Sequence, residues 1–172
     1  MTMQRRSLLK LGVVAGTALA LIGGSVSLLR EPGWRDGRLT DSGRAVLGAV
    51  ARAVLDGSLP EAMGPQQAAL ASHLDRMDLT LRALPPMMQR EIADMLALLA
   101  IPPGRMALAG LAVDWPRADV KDLQSALQGM RTSRINLRQQ AYHALRDLTH
   151  GAYFADSATW SRLGYPGPAH VA

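Results

Sequence analysis

The chain has 172 residues, 19 of them basic and 14 acidic, a formal charge of +5 and no cysteine. The missing thiols exclude a disulfide, a thiolate zinc site, an iron–sulfur cluster and covalent haem attachment within this chain. Arg5, Arg6 and Lys10 supply three of the positive charges within the first 29 residues, which hold no acid, so the remainder carries 16 basic against 14 acidic residues. A domain so near neutrality has no surplus for binding phosphates, and nucleic acid is not an expected partner.

The first element is an address. Arg5-Arg6-Ser7-Leu8-Leu9-Lys10 is followed by 19 uncharged residues, 11–29. Paired arginines, a variable residue, two apolar residues and a lysine resemble the twin-arginine export signal of bacteria, a route that carries proteins already folded, often around a cofactor. Arg5, Arg6, Leu8, Leu9 and Lys10 are the expected signal residues, and the twin-arginine translocase is the partner they imply. As a helix the uncharged run would measure nearly 30 Å, about the thickness of a bilayer core. It is only moderately apolar, with Gly12, Gly16, Thr17, Gly23, Gly24, Ser25 and Ser27 inside it, which favours a translocation signal over a permanent anchor. Two fates stay open: cleavage, for which Ser25-Val26-Ser27 is a small-x-small site, or retention as a membrane anchor. In either case the positive end stays cytoplasmic and the domain faces the other side, which gives a periplasmic, membrane-associated location.

Residues 30–40 read as a linker, because Glu31-Pro32-Gly33 and Asp36-Gly37 are breakers. The domain then runs from 41 to 172. Its first helix opens at Leu39-Thr40-Asp41-Ser42, with Thr40 or Asp41 as N-cap, and carries Val46, Leu47, Val50, Val54 and Leu55 on one face before Asp56-Gly57 and Pro60 stop it. A second begins near Pro65, where Leu70, Leu74, Met77, Leu81 and Leu84 alternate steps of four and three. Pro85-Pro86 breaks it. Met88, Ile92, Met95, Leu96 and Leu99 mark a third, ended by Pro102-Pro103-Gly104. A short segment, 106–111, and Trp115-Pro116 follow. Asp119 is positioned to cap a fourth helix with Val120, Leu123, Leu127 and Met130, and a fifth, over 135–153, carries Leu137, Ala141, Leu145 and Leu148. No period-two strand stands out. The fold expected is all-α: one compact domain of about five helices behind an N-terminal signal or transmembrane-like segment. Nine methionines against one phenylalanine suggest a forgiving core.

No catalytic constellation emerges. His143 and His150 are seven residues apart, too far for the usual ligand pair, and a surface or capping role is the expectation for the histidines. Asp75 with Asp78, and Asp119 with Asp122, have basic neighbours in Arg76 and Lys121 and read as solvated faces or helix N-terminal charges. No nucleophile elbow, phosphate loop or dinucleotide fingerprint occurs. The chain is therefore expected to be neither an enzyme nor a cofactor carrier, with no metal site.

Two features point to a partner. Arg131, Arg134 and Arg138 are spaced three and four apart, as if on one face at the start of the last helix, a stripe that either grips an acidic partner or is simply exposed. Five of the seven aromatic residues fall in the last 31 positions: Tyr142, Tyr153, Phe154, Trp160 and Tyr165. The segment Leu163-Gly164-Tyr165-Pro166-Gly167-Pro168 is stiffened by Pro166 and Pro168 and loses little entropy on docking, whether on its own core or on another chain.

The run Ala152-Tyr153-Phe154-Ala155-Asp156-Ser157-Ala158-Thr159-Trp160-Ser161-Arg162-Leu163-Gly164-Tyr165-Pro166-Gly167-Pro168 resembles the ending of the gluconate 2-dehydrogenase subunit 3 family, the small subunits of bacterial membrane-bound sugar and polyol dehydrogenases. Members typically combine a twin-arginine signal, an opening helix and a tail with two adjacent aromatics, a tryptophan and Gly-Tyr-Pro-Gly-Pro. The resemblance implies an accessory role: escorting a large subunit of the glucose–methanol–choline type, which carries FAD and lacks an export signal, and staying bound to it, with a cytochrome c subunit often taking the electrons. Tyr153, Phe154, Trp160, Tyr165, Pro166 and Pro168 are then the contact or tail-locking residues. Two positions depart from the pattern: Phe154 lacks the hydroxyl of a tyrosine pair, and Leu55-Asp56-Gly57 stands where a proline is common. The rival reading is a stand-alone exported envelope protein that binds another ligand or partner.

Overall fold

A computed structural model describes residues 31–167, and across them the chain is all-α, with six α-helices and one very short hairpin. The expected signal residues Arg5, Arg6, Leu8, Leu9 and Lys10, and Pro168, lie outside the described residues.

Helix α1 (Asp41–Val54) begins where Thr40 adopts an extended backbone and its hydroxyl oxygen accepts from the Gly43 N–H at 3.4 Å, the N-cap arrangement expected of Thr. Val46, Leu47, Ala49, Val50, Ala51 and Ala53 are all buried along it. Burial on more than one face marks a central helix rather than a surface one. α1 duly packs against α2 (Met63–Arg82), α3 (Pro86–Ala100), α5 (Val120–Arg131) and α6 (Asn136–Phe154). Its small residues let the neighbours approach. A Cβ at Gly43 would overlap the carbonyl of Gly33, and one at Gly33 would overlap Leu96 of α3.

The prolines read above as stops also act as starts. Pro86 opens α3, and Pro102 and Pro103 open a sixth helix, α4 (Pro102–Ala109), turned by 101° from α3. Proline suits the first helical turn, where its absent N–H has no partner to lose. Gly110 closes α4 in the left-handed region, φ 70°, its N–H returning to the Met106 carbonyl at 3.0 Å. No single described helix is long and apolar enough to cross a membrane.

The breakers that predict a linker instead build a hairpin. β1 (Trp34–Arg35) pairs antiparallel with β2 (Arg38–Leu39), and Asp36 (φ 53°) and Gly37 (φ 79°) make the turn, both in the left-handed region that such two-residue loops require. Three contacts fasten this segment to the bundle. The Gly33 N–H donates to the Ala93 carbonyl at 3.0 Å, the Leu39 N–H to the Asp78 carboxylate at 2.7 Å, and Arg82 Nε to the Gly37 carbonyl at 2.7 Å. Asp78 is thus buried and hydrogen-bonded, not solvated, with Arg44 3.8 Å away; Asp75, paired with Arg44 at 3.1 Å, does face solvent.

The segment between α4 and α5 holds no long helix, yet two arginines bond five of its carbonyls. Arg105, only 5% exposed, donates to the carbonyls of Leu111 and Ala112, both at 3.1 Å, and pairs with Asp114 at 2.9 Å. Arg52, in the last turn of α1, donates to the carbonyls of Trp115, Pro116 and Ala118 at 3.0, 3.3 and 3.1 Å. Between these forks the Trp115 ring is buried in the core and its indole N–H caps the Leu99 carbonyl at 2.8 Å, one of the last carbonyls of α3. Trp115→Phe keeps an aromatic ring but leaves that carbonyl bare. The expected loss is about 1–2 kcal/mol, read as a lower urea midpoint with an unchanged slope; an unshifted midpoint would show that the indole bond adds nothing.

Candidate partner-binding surface

The aromatic tail starts inside the fold. Tyr153, in the last turn of α6, is 5% exposed, and its hydroxyl donates to the Ser58 carbonyl at 2.8 Å. Its ring meets those of His73 and Phe154 edge-on, with centroids 6.1 and 5.2 Å apart. With Ala51, Leu55 and Leu59 it forms a second, smaller core at the end of α1, against which Phe154 packs half-buried. Tyr153 therefore closes this chain's own core, and no surface remains on it for another protein.

Beyond α6 the chain turns back. Arg76 of α2 donates Nε to the Ala152 carbonyl at 3.2 Å and pairs with Asp156 at 3.1 Å. The Thr159 hydroxyl bonds the Asp156 carbonyl at 2.7 Å, and Trp160 Nε1 donates to the Phe154 carbonyl at 2.7 Å. These bonds satisfy carbonyls that the end of α6 would otherwise leave open. A 3₁₀ helix (Ser157–Leu163) carries the chain to Gly164 (φ 66°), where it reverses so that the Tyr165 N–H reaches the Trp160 carbonyl at 3.1 Å and the two rings meet edge-on at 5.4 Å. Gly167 (φ 100°) then passes beside the Trp160 ring. The outcome is mixed: Tyr153 and Trp160 lock the tail onto its own helix, while Tyr165, 48% exposed, and Pro166 present an outward edge.

The arginines do not form one stripe. Arg131 ends α5, Arg134 lies in the turn, and Arg138 sits in the first turn of α6. The spacing of three and four assumed a single helix, whereas the chain breaks at Thr132-Ser133. Arg131 is exposed and bonded to Gln128 at 3.0 Å, and Arg134 is exposed. Arg138 is spent internally: its Nε donates to the Leu108 carbonyl at 2.7 Å, and the guanidinium lies beside Gly110 and Gly129, joining α4, α5 and α6.

His73 is the polar residue that sequence reasoning misplaced. It is fully buried, and neither ring nitrogen has a hydrogen-bond partner among the described residues. Burial, helped by the nearby Arg76 cation, lowers its pKa to about 4. The available signal was its place on the buried seam of α2, next to Leu74 and one turn before Met77. His150, half-buried against Phe154 at 5.7 Å, is also lowered, by desolvation first and then by Arg146. His143 is exposed, its ring 5.2 Å from that of Tyr142. Among the described residues no three His, Asp or Glu side chains come together in a way that could hold a metal.

The chain matches no family model, no curated protein and no solved structure.

The His73 pKa fixes a direction for pH. The fold binds the neutral ring, so the unfolded chain takes up a proton first; stability is complete above pH 6.5 and falls as the pH drops towards 4. The span corresponds to on the order of 3 kcal/mol. Urea midpoints measured across that window should fall steeply for the native chain and less steeply for His73→Leu. Equal slopes would assign the acid sensitivity to the carboxylates instead.

Proposed function

We propose that this chain is the non-catalytic small subunit of an exported dehydrogenase. It escorts a folded, FAD-loaded partner of the glucose–methanol–choline type through the twin-arginine translocase and stays bound to it on the periplasmic side of the membrane. The cofactor belongs to the partner, and a cytochrome c subunit is the natural next electron carrier. The observation that carries this reading is the pairing, in one short chain, of Arg5-Arg6-Ser7-Leu8-Leu9-Lys10 with a tail running from Tyr153 to Pro168. A folded cofactor enzyme without a signal needs such a carrier. A small helical domain has little need of a folded-export route for itself.

The geometry supports a division of labour within the tail. Tyr153, Phe154 and Trp160 shape the end of the bundle, and Tyr165 with Pro166 forms the edge a partner would meet. An aromatic ring pre-seated on Trp160 and held by a Gly164 turn loses little freedom when covered. Of Arg131, Arg134 and Arg138, the first two are exposed and available to acidic groups on the partner.

Co-expression with the flavoprotein tests the proposal in two ways. Replacing Arg5-Arg6 by Lys-Lys should strand both proteins in the cytoplasm. If only this chain is stranded, it is a stand-alone envelope protein and the escort reading falls. Tyr165→Ala, chosen because the residue is exposed, should leave the helical signal and melting curve intact while weakening the complex by about 2 kcal/mol, roughly thirtyfold in Kd. Titration by calorimetry or fluorescence anisotropy reads that change, and unaltered affinity would remove Tyr165 from the interface.

A further inference from the structure

A cleft of about 320 Å³ lies where the start of α1, the end of α3, α4 and the Trp115–Arg117 turn meet. Ala45, Val46, Ala100, Trp115 and Pro116 are its apolar walls. Those walls are fixed by bonds already described. Arg52 holds the carbonyls of Trp115, Pro116 and Ala118, the Trp115 indole holds that of Leu99, and Arg105 holds those of Leu111 and Ala112. A ligand entering the cleft therefore has no backbone to order first. Apolar walls with a few converging polar groups are the build of a small-molecule site, and this volume is at the lower end of the usual range.

The polar groups in the lining are Ser42, Arg105, Asp114 and Arg117. Arg105 and Arg117 grip the Asp114 carboxylate at 2.9 and 2.8 Å. The hydrogen bond from Arg117 first, and the Arg105 charge after it, hold the Asp114 pKa below the usual carboxylate range, so it is ionised at neutral pH. Two cations against one anion leave the lining with one surplus positive charge. Asp41 and Asp119, the nearest acids along the chain to either wall, are exposed and outside the lining, and Arg44 is turned to Asp75 and Asp78. The two arginines differ in what they have left to give. Arg105 is buried and uses Nε, Nη1 and Nη2 on Leu111, Asp114 and Ala112. Arg117 uses only Nη2; its Nε and Nη1 have no partner among the described residues, and its side chain is 78% exposed.

One surplus positive charge is matched by one negative charge. The open edge of a guanidinium fits the flat, two-oxygen head of a carboxylate, and apolar walls disfavour a hydrated inorganic ion. We propose that this cleft binds a small monocarboxylate with a short apolar or aromatic body, the body lying against Val46, Trp115 and Pro116 and the carboxylate on the free edge of Arg117. The cleft is built wholly from this chain, so the proposal is independent of export and of the escorted flavoprotein.

Benzoate is the probe, with benzamide as the uncharged molecule of the same shape. Three indole N–H resonances of the full-length, nitrogen-15-labelled chain report three places: Trp115 in the cleft, Trp34 in the hairpin and Trp160 in the tail. The Trp115 signal is the one that Trp115→Phe removes. Benzoate should move it saturably and leave the other two in place, and benzamide should bind about tenfold more weakly. Arg117→Gln should bring benzoate down to the benzamide level. Ala45→Leu, which fills the cleft from α1, should abolish the movement while the melting curve stays intact. Absence of saturable movement overturns the proposal, and so does equal affinity for the two probes. Unchanged benzoate affinity in either variant places binding elsewhere and overturns it too. The same movement with inorganic phosphate would show a general anion effect and end the case for a carboxylate.

Discussion

A helix enclosed by four others can be built only from small and branched apolar residues, and α1 obeys that constraint along its length. Gly43, Ala49, Ala51 and Ala53 admit close neighbours, and Val46, Leu47 and Val50 fill the remaining space. Polar groups leave this helix at its ends. At one end Thr40 caps the first turn and, through its hydroxyl, bonds the Pro32 carbonyl at 2.9 Å. At the other end Arg52 spreads across three carbonyls of the 115–118 turn. The two least regular parts of the molecule are therefore attached to opposite ends of one buried rod.

The same economy governs the tail. The end of α6 is finished by side chains arriving from elsewhere, Arg76 from α2 and Trp160 from the chain's own return. A tail held in this way presents a defined edge even before anything docks on it. The aromatic cluster thus has two layers, an inner one around Tyr153 that stabilises the bundle and an outer one at Tyr165 that is free to meet a surface. Cluster composition alone could not separate them, because a buried and an exposed tyrosine read the same in sequence.

What the sequence made readable follows from which signals are local. The steps of three and four in Leu70, Leu74, Met77 and Leu81 identify α2, and the same logic finds α1, α3, α5 and α6, because a buried stripe repeats within one element. Pro102-Pro103 was ambiguous in principle, since proline ends one helix and opens the next with equal ease. The hairpin at 34–39 has two residues per strand, too few for any alternation to register. The arginine contacts are the least visible: Arg52 meets Trp115 across 63 positions, Arg76 meets Ala152 across 76, and Arg138 meets Leu108 across 30. Each depends on tertiary placement, so a spacing rule reads these residues as surface charge. The expected signal and the tail resemblance are patterns of residue order along the chain.

Four of the ties between elements share one chemistry. The chain has two lysines, Lys10 and Lys121, and its other cations are arginines. Arg52, Arg76, Arg105 and Arg138 act as forks that each bind one or more backbone carbonyls between elements. The flat fan of donors on a guanidinium is organised before it is buried. Amine-directed acylation would consequently pass over all four of these joints, because none of them is a lysine.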